Sequence, residues 1–281
     1  MQVQTCLELR LPAGDIVEEA FAHMASRLSS FGSAEETDAE SGARVYIAWF
    51  PVEADSEAQH ARIMAQAQHL GAMPEDMVLT LLGDDWETAW QKDWQGKAIG
   101  ERLWVRPSFR EPAPDGRIDI VLDPGMAFGT GQHATTCLCL RAIERACAGQ
   151  PPVSLLDMGA GSGLLAIAAG KLGVRRIVAI DHDPVAVEAA SVNADINGVA
   201  LESRLGDTPP DAVFELVVAN ILAGPLVTMA PQLSVCTAHR LVLSGLLQTQ
   251  VDEVRASYEA EGLSAERVDT EGEWASIELV R

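Results

Sequence analysis

Hydrophobic and polar positions fall into two regimes along these 281 residues. In the first, short apolar runs separate helical stripes. Val3 to Leu11, Ala43 to Phe50 and Asp76 to Leu82 read as strands. Gly14 to Ser30 sets Ile16, Ala20, Met24 and Leu28 on one helix face, and Ser56 to Leu70 predicts a second helix that stops at Gly71. With a weak strand over Ala34 to Glu40, the order is β-α-β-β-α-β, the ferredoxin-like pattern. This segment holds no catalytic constellation and is expected to be a recognition module. From Ile118 onward, buried strands alternate with helices. Val153 to Met158, Arg176 to Ile180, Leu216 to Ala219 and Arg240 to Ser244 predict strands. Thr135 to Cys147, Gly163 to Leu172, Pro184 to Asn197 and Leu247 to Gly262 predict helices. Ala265 to Thr270 and Trp274 to Val280 follow as two strands with no helix between them. Apolar strands alternating with helices indicate a parallel sheet covered on both faces.

Between the two regimes, Trp86, Trp90 and Trp94 recur at every fourth position and share one helix face. An aromatic stripe of this kind pins a connecting helix to one domain; substrate contact is its second reading. Pro107, Pro112, Pro114 and Gly116 mark loop and turn. The expected organisation is a small α+β domain over residues 1–84, a linker with the tryptophan helix over 85–117, and an α/β domain over 118–281.

The candidate chemistry lies in the α/β domain. Leu155 to Gly163 is an apolar strand that runs into a glycine turn and opens a helix, which brings bare backbone to a nucleotide-like cofactor. The spacing Gly159-x-Gly161-x-Gly163 is not the G-x-G-x-x-G of dinucleotide enzymes. Asp181 ends the second strand, where a carboxylate can accept from both ribose hydroxyls. Asp183-Pro184 supplies the helix start and leaves Asp181 free for that contact. Asn220 ends the fourth strand, and its amide could hold an incoming amine and orient the lone pair. Ile221 and Leu222 stand where enzymes that methylate bases or glutamine carry prolines. Upstream, Asp123 to Thr136 (DPGMAFGTGQHATT) is a glycine-rich loop placed to close over the crevice. Phe128 could cover adenine or the methyl-transfer region, and Thr136 could bond the methionine end of a cofactor. His133 reads first as a helix cap or a holder of loop geometry, and second as a general base. Asp207, near the end of the third strand, is either a contact to an adenine amino group or an exposed turn acid. Together these features point to S-adenosylmethionine and methyl transfer. The terminal antiparallel pair matches the sheet of a class I (Rossmann-like) methyltransferase.

Charge narrows the partner. The formal net charge is −21, which disfavours direct nucleic-acid binding and favours a basic protein. Residues 1–80 carry 13 acidic side chains against four arginines and no lysine. That is either an acidic dock for a basic partner or a share of the general acidity. Five cysteines, an odd number with no Cys-x-x-Cys, predict reduced thiols and neither a metal site nor a disulfide framework. No signal-peptide pattern is present, and no run approaches the ~18 apolar residues of a membrane span. A soluble, cytoplasmic protein without a membrane partner is expected.

Three motifs, DPGMAFGTGQHATT, DMGAGSGLLAIAA and VVANILAGPL, occur in that order. With GERLWV and the tryptophan helix, they resemble the PrmA family, the methyltransferases of large-subunit ribosomal protein L-eleven. Gln132 and Ala134 stand where the family usually has Thr and Pro, changes confined to a loop. The resemblance is specific from about Trp86 to Pro231 and is one of pattern alone before that. It implies transfer of methyl groups to lysine side-chain and N-terminal amino groups of that basic protein. By position it places cofactor contacts at Thr136, Gly159, Asp181 and Asn220, and Phe128, Gly161 and Asp207 join them on the reading above. It also implies an N-terminal domain that binds the substrate, and a linker that lets several amines reach one site. A methyltransferase of the same fold acting on another basic protein is the alternative. A monomer is expected.

Overall fold

A computed structural model describes residues 6–14, 16, 18–28, 30, 32–37, 44–53, 56–82, 96–113, 116–122 and 133–281. These form two compact units, one reaching Leu82 and one starting at Gly96. The tryptophan stripe and Phe128 lie outside the described residues.

The first unit runs β1 (Cys6–Pro12), α1 (Glu18–Arg27), β2 (Gly32–Thr37), β3 (Arg44–Pro51), α2 (Ser56–His69) and β4 (Val78–Leu82). Its antiparallel sheet has the order β2-β3-β1-β4, with Leu9 opposite both Ala48 and Leu79. This is the connectivity and strand order of the ferredoxin-like pattern. Leu7, Leu9 and Leu11 alternate toward one face and meet Phe21, Met24 and Ile63 from the helices. Tyr46 stacks on Phe21, with ring centroids 5.1 Å apart, and its buried hydroxyl donates to the Ile16 carbonyl at 3.1 Å.

The second unit opens with β5 (Lys97–Ile99), β6 (Leu103–Arg106) and β7 (Ile118–Val121), a small sheet of its own. Its first two strands fall inside the segment expected to be a linker. The reason is packing: Ile99, Leu103, Val105 and Ile120 are buried in the main core. Two side chains also fasten this sheet. The Asn197 amide accepts from the Val121 N–H (2.9 Å) and donates to the Val121 carbonyl (2.7 Å). The Glu144 carboxylate accepts from the Glu101 and Arg102 backbone N–H groups.

Then follow α3 (Ala134–Ala146), β8 (Ser154–Met158), α4 (Leu164–Lys171), β9 (Arg176–Asp181), α5 (Pro184–Asn197), β10 (Glu202–Leu205), β11 (Phe214–Asn220), α6 (Ala223–Thr228), α7 (Ala230–Cys236), β12 (Thr237–Leu247), α8 (Val251–Glu259), β13 (Ser264–Glu271) and β14 (Trp274–Val280). Their sheet has the order β10-β9-β8-β11-β12-β14-β13, parallel except at β14, which is antiparallel to both neighbours. Alternate residues build two cores. Leu155, Leu216 and Val218 face α3 and α4, while Leu156, Val217 and Ala219 face α6, α7 and α8. The chain leaves β8 toward β9 and returns on its other side as β11, which makes the β8/β11 junction the topological switch point.

Helix α3 is clamped to the antiparallel end. Glu278, almost fully buried on β14, pairs with Arg145 of α3 and with Arg240 of β12 (2.8 Å). Arg145 also reaches Asp269, and Arg141 pairs with Glu271 at 2.6 Å. The outer strands of the sheet are charged. Glu202 pairs with Arg204 on β10, and β13 carries Glu266, Arg267 and Asp269.

Candidate active site

The glycine turn follows β8, whose five residues are all buried. Gly159, Gly161 and Gly163 have φ of +75°, +53° and +77°. A side chain is strained in that region. A Cβ on Gly159 would also overlap the Ile221 side chain, so the turn and the end of β11 touch across bare backbone.

Asp181 does not cap the helix after β9, as the sequence suggested, but it has other partners. Asp183 is indeed the cap of α5, accepting from the Val185 N–H at 2.9 Å. The buried Asp181 carboxylate, however, accepts from the Gly161 N–H (2.8 Å) and the Asp183 N–H (3.0 Å). It therefore holds the glycine turn itself. A carboxylate has about four lone-pair directions, so capacity for a diol remains.

Asn220 follows Val218 on the face toward α3, and its Nδ2 lies 3.4 Å from Thr136 Oγ1. Thr136 is buried in the first turn of α3. His133 is the cap of that helix: its Nδ1 accepts from the Thr135 N–H at 3.3 Å and stands 2.7 Å from Thr135 Oγ1. Asp207 is exposed in a bend just beyond β10. Its neighbour Gly206 donates its N–H to the Asp181 carbonyl at 2.8 Å. The structure thus brings together Thr136 with Asn220, and Gly161 with Asp181.

Sequence reasoning missed Asp157. This acid sits in the apolar strand Ser154–Met158, which is its signal, and is fully buried on the same face as Leu155. Its Oδ2 accepts from the Ala166 N–H at 3.0 Å. It so caps α4, whose Gly163 has no side chain to do so. Burial pushes the Asp157 carboxyl up to about 7; the Ala166 hydrogen bond opposes this, and the Asp181 charge adds to it. Gly245 was also missed. It forms a bulge in β12 at φ +85°, where a Cβ would overlap the Ile221 backbone.

Asp157 Oδ1 and Asn220 Oδ1 are buried acceptors without a hydrogen-bond partner among the described residues. Such oxygens call for a ligand that brings N–H or O–H groups. A donor-rich, nucleotide-like cofactor against a bare turn fits them. Among the described residues no group of His, Cys, Asp and Glu could hold a metal ion, and all five cysteines are buried. No helix among them is long and apolar enough to cross a membrane.

The strand order, the glycine turn at the switch point and the acid closing β9 define a class I (Rossmann-like) S-adenosylmethionine-dependent methyltransferase fold. The sequence profile of ribosomal protein L11 methyltransferase (PrmA) matches residues 13–281, and the chain belongs to that family. The ribosomal protein L11 methyltransferase of Azotobacter vinelandii is 42% identical over 243 residues, covering 84% of this chain and 80% of that protein. That of Myxococcus xanthus is 44% identical over 200 residues, covering 70% and 69%. The crystal structure of the ribosomal protein L11 methylase from Lactobacillus delbrueckii subsp. bulgaricus is similar with a TM-score of 0.60 at 31% identity. It covers 67% of this chain and 98% of that one.

Proposed function

We propose that this chain transfers methyl groups from S-adenosylmethionine to lysine side-chain and N-terminal amino groups of ribosomal protein L11. The observation that carries the reading is Asn220, which ends β11 at the switch point with its carbonyl oxygen unpartnered. Cofactor binding is assigned to Thr136, Gly159, Gly161, Asp181 and Asn220, with Asp207 at the adenine and Phe128 over the adenine or the methyl-transfer region. No metal takes part.

The bound cofactor supplies an electrophilic sulfonium methyl. The protein must present a neutral amine to it. A lysine with an ordinary pKa of about 10.4 is an ammonium at neutral pH and has no free lone pair. Ile221, partly buried against the bare backbone of Gly159, is an apolar neighbour that disfavours the charged form and lowers that value. The Asn220 oxygen then accepts an N–H of the amine and aims its lone pair, and orientation supplies most of the rate. No dedicated strong base is required, because the ammonium proton leaves through water before transfer. His133 is engaged as a helix cap.

Residues 1–84 are assigned to recognition of the basic substrate, 118–281 to catalysis, and 85–117 to the connection between them, with β5 and β6 packed on the catalytic body. The protein acts as a cytoplasmic monomer, without direct nucleic-acid or membrane contact. The test is methyl transfer from labelled cofactor to purified ribosomal protein L11, read by intact mass and peptide mapping. Mass gains in methyl steps, lost in Asn220→Ala, support the reading. No gain with cofactor binding intact sinks the substrate assignment and turns the search to other basic proteins.

A further inference from the structure

Trp274 opens β14 and is 9% exposed. Its ring meets the His133 imidazole edge to face, with centroids 4.8 Å apart at 69°. The hairpin tip that carries it is anchored: the Gln248 backbone N–H donates to the Glu273 carbonyl (2.9 Å) and Gln248 Nε2 to the Gly272 carbonyl (2.7 Å). Glu271, on the same hairpin, pairs with Arg141 two turns along α3. Imidazole is a demanding helix cap. Nδ1 has one lone pair, in the ring plane, and it faces Thr135, whose N–H lies at 3.3 Å and hydroxyl at 2.7 Å, so the imidazole meets the first turn of α3 in one ring orientation only. A hydroxyl or carboxamide cap tolerates far more rotation.

We propose that Trp274 is a positioning residue for methyl transfer that acts through His133. Its ring fixes the imidazole plane, the imidazole caps α3, and the cap sets the Thr136 hydroxyl against Asn220. The inference rests on the proposed roles of Thr136 and Asn220.

A double-mutant cycle on the full chain tests it, read as kcat on ribosomal protein L11, as the dissociation constant of S-adenosylhomocysteine, and as Tm. Trp274→Leu should lower kcat about tenfold and weaken S-adenosylhomocysteine binding severalfold. Trp274→Phe, which keeps an aromatic ring, should stay within about twofold of the parent. In a His133→Asn background the cap no longer needs a supported ring, and Trp274→Leu should change kcat by less than about twofold. Equal losses in both backgrounds would overturn the proposal, because they would make Trp274 a packing residue alone. If Trp274→Leu fails to fold, Trp274→Met carries the same comparison. No turnover of ribosomal protein L11 by the parent would overturn the substrate reading only, and the cycle is then decided on the dissociation constants.

Discussion

Asn220 Nδ2 stands 3.4 Å from Thr136 Oγ1, and so joins residues 84 positions apart in the chain. The contact orients the carboxamide. With the NH₂ side turned to Thr136, the carbonyl oxygen is left as an unpartnered acceptor.

Removing that acceptor should separate chemistry from binding. Asn220→Ala is expected to lower kcat by about 10²-fold, the usual cost of losing one preorganised polar contact at a reacting centre. Its cofactor dissociation constant should move only a few fold. Single-turnover rates and calorimetry check this; equal losses in both would count against a positioning role.

Asp181→Ala should do the reverse. It removes a ribose acceptor and frees the Gly161 and Asp183 N–H groups that the carboxylate holds. Cofactor affinity should fall at least about tenfold, and stability by about 2 kcal/mol, the scale of hydrogen bonds to a charged group. Calorimetry and urea unfolding measure the two. An unchanged dissociation constant would dismiss Asp181 as a ligand contact.

Asp157 predicts a pH dependence of stability. Its carboxyl is raised from 3.8 to about 7 by burial, so the folded protein keeps a proton there that the unfolded chain has lost. The associated stability is fully present below 3.8 and is lost as pH rises to about 7. Asp157→Asn keeps an acceptor for Ala166 and carries no charge. Its stability relative to the parent should therefore improve between pH 4 and pH 8, by an amount on the order of a few kcal/mol, and stay flat above. Thermal melts across that range decide it; a constant difference would show that Asp157 does not titrate there.

At Gly245, Gly→Ala should lower both stability and turnover. The residue is held at φ +85°, and the added methyl would press on the Ile221 backbone, next to Asn220. A loss of about 1–3 kcal/mol is expected from the strained backbone alone. Normal turnover with normal stability would show that the bulge relaxes freely.

Where local pattern and packing agree, the sequence was sufficient. Trp274–Val280 and Pro184–Asn197 form with the bounds that alternation and the Asp-Pro start predict. Of β10 only the end was legible, through the placing of Asp207; Glu-Ser-Arg-Leu at a sheet edge has no apolar face to reveal its bounds. β5 and β6 were read as linker because three- and four-residue strands are too short for periodicity to emerge. Within the site, Asn220 and Asp181 were visible from their places at strand ends. That Asp181 also binds the turn, and that Asn220 leans on Thr136, depends on neighbours distant in sequence.

The two outer strands of the large sheet are short of hydrophobic cover and rich in charge. A further strand laid along β10 would meet Glu202 and Arg204, already paired with each other; one laid along β13 would meet Glu266, Arg267 and Asp269. Adding a foreign strand would mean desolvating those charges for a few backbone hydrogen bonds. The sheet therefore stops at seven strands. Both edges of this sheet thus present charge, which resists edge-to-edge pairing with another chain.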